Sequence, residues 1–457
     1  MTLFGTAGIR GPVRTEVTPS LALAVGRAVG RDPGPFVVGR DGRETGSALV
    51  AALEAGIESA GEDVYRVGQV PTPALAFASR GRRGVMVTAS HNPPTDNGIK
   101  VFEDGVEYDR AAEETIERRV ESEPSPAEWN EWGSGRQVDL LDDYRSAVSD
   151  YVRILTSDDP LADRRIVVDC GNGVGALATP QVLRALGADV VTLHGNVDGH
   201  FPGRESKPTP ESLADLRAFL AEQPADLGIA HDGDADRVVI VAPDGEVVHE
   251  DTVLAWLAER YTRESDATDP VVVTTPNASG RIDERVEAAG GRVERVRLGA
   301  LHEGIARERE LGDSDTSVVF AAEPWKHIHT RFGGWIDGVA SAAVVSTLVA
   351  EAGDVAALRK PVTERPYRKA SVDCPDNLKD GAMSRIREAL PERFPDGTVD
   401  TDYGVRIGLT DGSWVLVRPS GTEPYVRVYA ESDDVDDLLE TSVSVVEDAV
   451  ESTESPE

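Results

Sequence analysis

Thr88-Ala89-Ser90-His91-Asn92-Pro93-Pro94-Thr95-Asp96-Asn97-Gly98-Ile99-Lys100 follows directly on Gly84-Val85-Met86-Val87. The preceding run is short, apolar and bounded by glycine, and reads as a buried strand. It stops at a polar segment in which Pro93 and Pro94 exclude helix or interior strand, and Asn97-Gly98 predicts a tight turn. Ser90 is thereby placed at the mouth of a sheet on a stiff loop, with His91 beside it and Lys100 ten residues on. An α/β protein presents a reactive hydroxyl in such a place. A serine turn without chemistry has the same local sequence, so the rest of the chain decides between them.

On the N-terminal side, Phe4-Gly5-Thr6-Ala7-Gly8-Ile9-Arg10-Gly11 is a glycine-rich loop with Arg10 at its tip. Residues 35–39 and 63–67 read as strands, with helices around 22–25 and over 47–61, and this βαβ alternation predicts a mostly parallel sheet. On the C-terminal side a helical stretch, 139–155, ends at a junction near Pro160. A second α/β unit opens with the strand 165–169 and Gly171-Asn172-Gly173-Val174-Gly175. That spacing misses the dinucleotide fingerprint, and glycines that let a helix pack closely on a strand are the simpler reading. A third unit spans about 251–352, with strands over 271–274 and 317–320 and a closing helix from 337. After Lys360-Pro361 short strands at 405–409, 414–418 and 426–430 predict a small α+β domain. The expected fold is α/β: three similar α/β domains with mixed, mostly parallel sheets and a smaller C-terminal α+β domain. The boundaries expected are 1–156, 157–250, 251–360 and 361–457.

The chain has 457 residues and a formal net charge of −34, with six lysines among its 47 basic residues. So acidic a surface repels nucleic acid and anionic membranes alike, and neither is expected as a partner. It resembles the solvated acidic surfaces of high-salt cytoplasms, where screening tempers self-repulsion, and a halophilic archaeal source is expected. Cys170 and Cys374 lie far apart without metal-ligand spacing, which predicts a reducing compartment. No apolar run approaches the length of a membrane span, and the N-terminus has no basic region followed by an apolar one. A cytoplasmic protein is expected.

His231-Asp232-Gly233-Asp234-Ala235-Asp236-Arg237 lies between two strand-like runs, 226–230 and 238–241. Three carboxylates at alternate positions of an extended loop point the same way and repel unless a cation sits among them. Hard oxygen ligands with room for water or phosphate suit Mg²⁺. A calcium EF-hand fails, because Arg237 stands where glycine is needed and Pro243 where the bidentate glutamate belongs. An aspartyl-phosphate phosphatase with Asp232 as nucleophile remains open locally, as does a solvated acidic turn. Farther on, Arg418-Pro419-Ser420-Gly421-Thr422-Glu423-Pro424 is followed by Arg427. Guanidinium, hydroxyls and glycine-permitted backbone N–H groups make a phosphate cradle there. A plain strand-to-turn junction is the alternative.

Serine loop, carboxylate triplet and phosphate cradle, in that order, resemble the α-D-phosphohexomutase superfamily of phosphoglucomutases, phosphomannomutases and phosphoglucosamine mutases. The resemblance runs from Phe4 to about Glu431, and implies four domains around a central cleft. It implies that Ser90 is a phosphoserine and that Asp232, Asp234 and Asp236 bind one Mg²⁺ together with a phosphate oxygen on Ser90. Arg237 would support charge on the transferring group, and the cradle at Arg418, Ser420, Gly421, Thr422 and Arg427 would hold the phosphate that is not reacting. Lys100 becomes the general base or acid, with Arg10 and His91 supporting the site; a lysine pKa near neutrality requires burial or neighbouring cations. A surface lysine and a loop-orienting histidine are the plainer alternatives.

The family's sugar-recognition loop, usually G-E-x-S-G-H, stands here as Ala322-Glu323-Pro324-Trp325-Lys326-His327, followed by Ile328-His329. Glu323 and His327 keep the family positions, whereas Trp325-Lys326 replaces Ser-Gly. The earlier loop Arg297-Leu298-Gly299 keeps the glycine, and Arg297 and Gly299 join Glu323 and His327 as expected substrate contacts. His327-x-His329 has no further ligand cluster to make a transition-metal site. The function expected is interconversion of sugar 1-phosphate and 6-phosphate through a sugar 1,6-bisphosphate, on glucose or mannose. Glucosamine or pentose phosphates are the alternatives within the family. Outside it stand the Asp232 phosphatase and a non-catalytic sugar-phosphate sensor. The chain is expected to be a monomer or weak homodimer.

Overall fold

The apolar run that precedes the serine loop is an interior strand. In the computed structural model, which describes residues 3–5, 8–156, 158–420 and 423–454, the chain divides into two units. One comprises residues 1–257 and 319–359, the other 258–318 and 360–457. Among the described residues, the first sheet of the first unit contains β1 (Ile9–Pro12), β2 (Phe36–Arg40), β3 (Val64–Gln69), β4 (Arg83–Val87), β5 (Asp96–Glu103), β6 (Val106–Glu107) and β7 (Gly135–Gln137). Their order is β1-β5-β4-β2-β3-β7, with β6 on β5. Strands β4, β2, β3 and β7 run parallel, as helical crossovers such as Gly46–Ala60 and Thr72–Ala78 allow. Strand β5 returns antiparallel on β4 because only the short serine loop joins them, and β1 and β6 pair antiparallel with β5.

Asn97-Gly98 is not a turn but the start of β5, with Gly98 opposite Arg10. The chain reverses earlier, where Asn92 N–H donates to the Ala89 carbonyl and Asp96 N–H to that of Pro93. The glycine is needed for close approach. A Cβ at Gly98 would lie 2.4 Å from the Ile9 carbonyl oxygen and 2.5 Å from that of Thr88.

The second sheet is built from β8 (Arg165–Asp169), β9 (Asp189–Leu193), β10 (Leu227–His231) and β11 (Val238–Val241), in the order β11-β10-β8-β9. Strands β8, β9 and β10 are parallel, and β11 folds back on β10 through the carboxylate loop. In the second unit β12 (Asp269–Thr274) pairs parallel with β13 (Arg292–Arg295). Residues 319–359 of the first unit bring in the hairpin of β14 (Thr316–Glu323) and β15 (Lys326–Ile328), then the buried helix Gly338–Ala352.

The second unit ends in an antiparallel sheet of β16 (Tyr367–Asp373), β17 (Thr398–Asp400), β18 (Val405–Gly408), β19 (Trp414–Pro419) and β20 (Tyr425–Glu431). Their order is β16-β20-β19-β18-β17. Helices Lys379–Arg393 and Val435–Glu454 cover it, burying Ile386, Leu390 and Val446 against Val405, Val415 and Val428. Parallel-rich α/β sheets followed by an α+β segment match the fold class read from the sequence. Among the described residues no helix is long and apolar enough to cross a membrane.

Candidate active site

The serine loop leaves β4 at Thr88. Ser90 is fully buried and has φ +51°, a left-handed conformation that costs a non-glycine residue about 1–2 kcal/mol. Its N–H donates to Thr88 Oγ1 at 2.9 Å. Its hydroxyl donates to Asp232 Oδ2 at 2.6 Å and lies 3.4 Å from His91 Nδ1.

Asp232, Asp234 and Asp236 are all buried, with a carboxylate oxygen of each within 4.8 Å of the other two. They converge as the sequence predicts, but through a tight turn with Ala235 at φ +58° rather than through an extended loop. Thr72 Oγ1 donates to Asp234 Oδ2 at 2.7 Å, and Thr72 N–H to the Asp234 carbonyl at 2.9 Å. Lys100 Nζ donates to Asp236 Oδ2 at 2.9 Å and lies 3.9 Å from Asp234 Oδ2. Arg237 Nε is 3.8 Å from Asp232 Oδ2 and 3.9 Å from Asp236 Oδ1.

The carboxylates respond unequally to one another. Burial, then the charges of Asp236 and Asp234, push Asp232 well above the ordinary carboxylate range. Burial also opposes the charge on Asp236, but Lys100, Lys326 and Arg237 outweigh it and hold that carboxyl below the usual range. Two oxygens, Asp234 Oδ1 and Asp236 Oδ1, are buried without a hydrogen-bond partner. Unpartnered buried carboxylate oxygens in an all-oxygen cluster fit a hard divalent cation.

Arg10 adds a guanidinium whose Nε and Nη2 are buried without partners. His91 is kept neutral, pushed down to about 3 by burial and then by Arg237 and Arg10. Lys100 departs from the expectation of a near-neutral amine. Burial favours loss of its proton, but Asp236, Glu107 and Asp234 outweigh burial and raise its pKa, so it is held as an ammonium ion.

The same unit carries Glu323 and His327. Glu323 pairs in register with Lys326 across a turn in which Trp325 has φ +67°. His327 is 1% exposed, with Nδ1 3.0 Å from Ser341 Oγ, and burial lowers its pKa to about 3. The remaining expected residues belong to the second unit. Arg297 is exposed and paired with Glu303, and Gly299 has φ +80°. Arg418 lies over the Tyr429 ring and donates to its hydroxyl at 3.0 Å, while its Nε is buried without a partner. Arg427 contacts Tyr425, Tyr429 and Glu423. Lys379 Nζ donates to the Ser420 carbonyl at 2.7 Å and so ties down the start of the cradle. Gly421 and Thr422 lie outside the described residues.

Sequence reasoning missed Thr72, which has no motif of its own, and the reach of Lys326. The scarcity of lysine was the available signal. Of six lysines in the chain, Lys100 and Lys326 act on Asp236 and Lys207 acts on His91.

The phosphoglucomutase/phosphomannomutase family models match residues 1–127 as alpha/beta/alpha domain I, 142–245 as alpha/beta/alpha domain II and 372–447 as the C-terminal domain. A phosphopentomutase of Thermococcus kodakarensis is 42% identical over 99% of this chain and 100% of its own. The chain belongs to the phosphoglucomutase/phosphomannomutase family. A Methanopyrus kandleri relative named "probable phosphoglucosamine mutase" is 41% identical over 98% of each chain. The crystal structure of a phosphoglucomutase/phosphomannomutase family protein from Burkholderia thailandensis superposes with a TM-score of 0.85 at 27% identity, covering 100% of this chain and 98% of that one. The relatives of this mutase family thus carry different sugar names. The Trp325-Lys326 turn, beside the carboxylate loop through the Arg237–Lys326 bridge, is where this member departs from the motif described above.

Proposed function

We propose that this family member interconverts sugar 1-phosphates and 6-phosphates (5-phosphates for a pentose) through a phosphoryl group carried on Ser90. The single observation that carries the reading is the 2.6 Å contact of Ser90 Oγ with Asp232, at the edge of a carboxylate trio with two unpartnered buried oxygens. Asp232, Asp234 and Asp236 would hold one Mg²⁺. Bound there, the cation would neutralise charge on the transferring phosphoryl oxygens.

The chain's own groups do the rest. In the forward half-reaction the P–O bond to Ser90 Oγ breaks as a sugar hydroxyl oxygen bonds to phosphorus; the hydroxyl gives up its proton, Ser90 Oγ regains one, and the sugar bisphosphate results. In the return half-reaction the other phosphate passes to Ser90. Lys100, Arg10 and Arg237 line this path with fixed positive charge, and phosphoryl transfer is catalysed chiefly by such positioning and charge. Lys100, whose Nζ is 2.9 Å from Asp236 Oδ2, would serve as the general acid or base and as a hydrogen-bond donor to the transferring group. Arg418, Ser420, Gly421, Thr422 and Arg427 would bind the non-reacting phosphate, and Arg297, Gly299, Glu323 and His327 the sugar.

Glucose and mannose phosphates remain the substrates we favour from the sequence. The names of the relatives support pentose and glucosamine phosphates equally, and the Trp325-Lys326 turn is the feature that would choose among them. We also propose a cytoplasmic, high-salt setting, supported by the charge of −34 and by a count of only six lysines among 47 basic residues. The domains proposed are 1–156, 157–250, 251–360 and 361–457; the family matches at 1–127, 142–245 and 372–447 support the first, second and fourth, with the second match beginning at 142 rather than 157. A monomer or weak homodimer is retained as the working state.

The test is a panel of glucose, mannose, glucosamine and pentose 1-phosphates, with Mg²⁺ and catalytic bisphosphate, at low and high KCl. Conversion of one or more to the terminal phosphate, stimulated by bisphosphate, is expected. Release of inorganic phosphate without isomerisation would overturn the reading, and so would tight binding without turnover.

A further inference from the structure

Arg43, just beyond β2, is fully buried, and all three guanidinium nitrogens are engaged. Nε donates to Asp41 Oδ2 at 3.0 Å. Nη1 donates to the carbonyls of Pro93 at 2.6 Å and Asp96 at 2.9 Å. Nη2 donates to those of Ser90 at 2.9 Å and Asn92 at 2.7 Å. Four carbonyls of the serine loop therefore converge on one side chain.

Asp41 completes the device. Its Oδ1 accepts from Arg43 N–H at 2.9 Å, and its Oδ2 accepts from Thr88 Oγ1 at 2.7 Å. The Thr88 hydroxyl oxygen in turn accepts the Ser90 N–H at 2.9 Å. Both peptide groups of Ser90 are thus fixed by the same Asp41–Arg43 pair, its N–H through Thr88 and its carbonyl directly. Those two peptides set φ and ψ at Ser90, and with them the direction of Oγ toward Asp232. The carboxylate loop abuts the same carbonyl: a Cβ on Gly233 would lie 2.6 Å from Ser90 O.

A buried ion pair is weak evidence of stabilisation, since apolar residues of similar volume often serve as well. Here the pair does something an apolar core would not. A guanidinium presents five N–H groups in a planar fork, whereas an ammonium is a compact point charge with three. We propose that Arg43, acting with Asp41 and Thr88, is a positioning residue: it holds Ser90 in the left-handed conformation that aims its hydroxyl into the carboxylate cage. This rests on the reading of Ser90 as the phosphoryl carrier and deepens it.

The experiment compares the full chain with its Arg43→Lys and Thr88→Val variants. Each is incubated with Mg²⁺ and labelled glucose 1,6-bisphosphate. The readings are the initial rate of labelling at Ser90, the Kd of the bisphosphate, and kcat and KM on the best sugar phosphate, scaled to folded protein. Displacing a reacting atom by about 1 Å costs on the order of a hundredfold. Arg43→Lys is accordingly expected to label about a hundredfold more slowly, with Kd and KM within about threefold of the parent. Thr88→Val should lose rate in the same sense and by less, again in kcat and not KM. Partial recovery of an Arg43→Ala variant by added guanidinium would further support the clamp.

Labelling of Arg43→Lys at the parental rate overturns the proposal, as does a loss explained wholly by the unfolded fraction. If Arg43→Lys does not fold, Thr88→Val decides: a parental rate overturns the clamp and a kcat-only loss upholds it. Failure of the parent to label at all defeats the phosphoserine reading, on which the clamp depends. Equal labelling of parent and variants defeats the clamp alone.

Discussion

Ser90 Oγ and Asp232 Oδ2 are 2.6 Å apart, though 142 residues separate them in sequence. The contact joins the loop after β4 to the loop after β10, so the Ser90 hydroxyl and the carboxylate trio form one continuous polar site. The parallel strand order places both loops at the C-terminal ends of parallel strands, where α/β sheets carry their chemistry.

The cage should bind a divalent cation, and binding should stabilise the fold. At a hundred times its Kd a ligand specific to the native state adds about 2.7 kcal/mol. Titration with Mg²⁺ is expected to raise Tm, and Asp234→Asn to abolish most of the rise. An unchanged Tm in the parent across millimolar Mg²⁺ would contradict the assignment.

Thr72 should matter through Asp234. Outer-shell partners of metal ligands are worth about 10- to 100-fold in affinity. Thr72→Val removes the 2.7 Å bond to Asp234 Oδ2 and keeps the branched shape of the side chain. A fall in Mg²⁺ affinity within that range is expected by calorimetry; parental affinity would count against the role.

Much of this site was legible in the sequence, because Ser90 and the three aspartates sit in short contiguous motifs whose chemistry is readable without a fold. Strands over 84–87 and 165–169 were equally plain, since short valine-rich runs bounded by glycine or charged residues admit few other readings. Asn97-Gly98 misled because local turn chemistry yielded to a tertiary demand, the close approach of the Ile9 and Thr88 carbonyls. Lys100 misled in charge: a count of cations near it omits Asp234 and Asp236, which come from 134 and 136 residues away respectively. Thr72 and Arg43 were invisible for the same reason, as their partners are distant in sequence or are backbone carbonyls.

Replacing Trp325-Lys326 with Ser-Gly should reorder the substrates more than it alters turnover of the best one. The turn brings a cation to bear on Asp236, and its indole packs against the apolar cluster of Val167, Leu213 and Val239. The comparison is kcat/KM across glucose, mannose, glucosamine and pentose phosphates. An unaltered ranking would contradict a role in selectivity.

Acid should destabilise the chain partly through His327 and His329. Burial lowers each to about 3, against about 6.5 in the unfolded chain. Below about pH 6.5 the unfolded state binds more protons, so stability falls as pH falls from about 6.5 toward 3. Each histidine should cost about 2 kcal/mol at pH 5. Denaturant midpoints measured from pH 7 to pH 5 should fall less steeply in His329→Gln than in the parent, and an identical slope would contradict this.

A phosphoryl group carried on Ser90 is the proposal's central prediction. The purified chain, incubated with Mg²⁺ and labelled sugar 1,6-bisphosphate and then mapped by mass spectrometry, should carry an acid-stable phosphate on Ser90. Ser90→Ala should carry none. No covalent label, or a base-labile label that persists in Ser90→Ala and maps to Asp232, would contradict it.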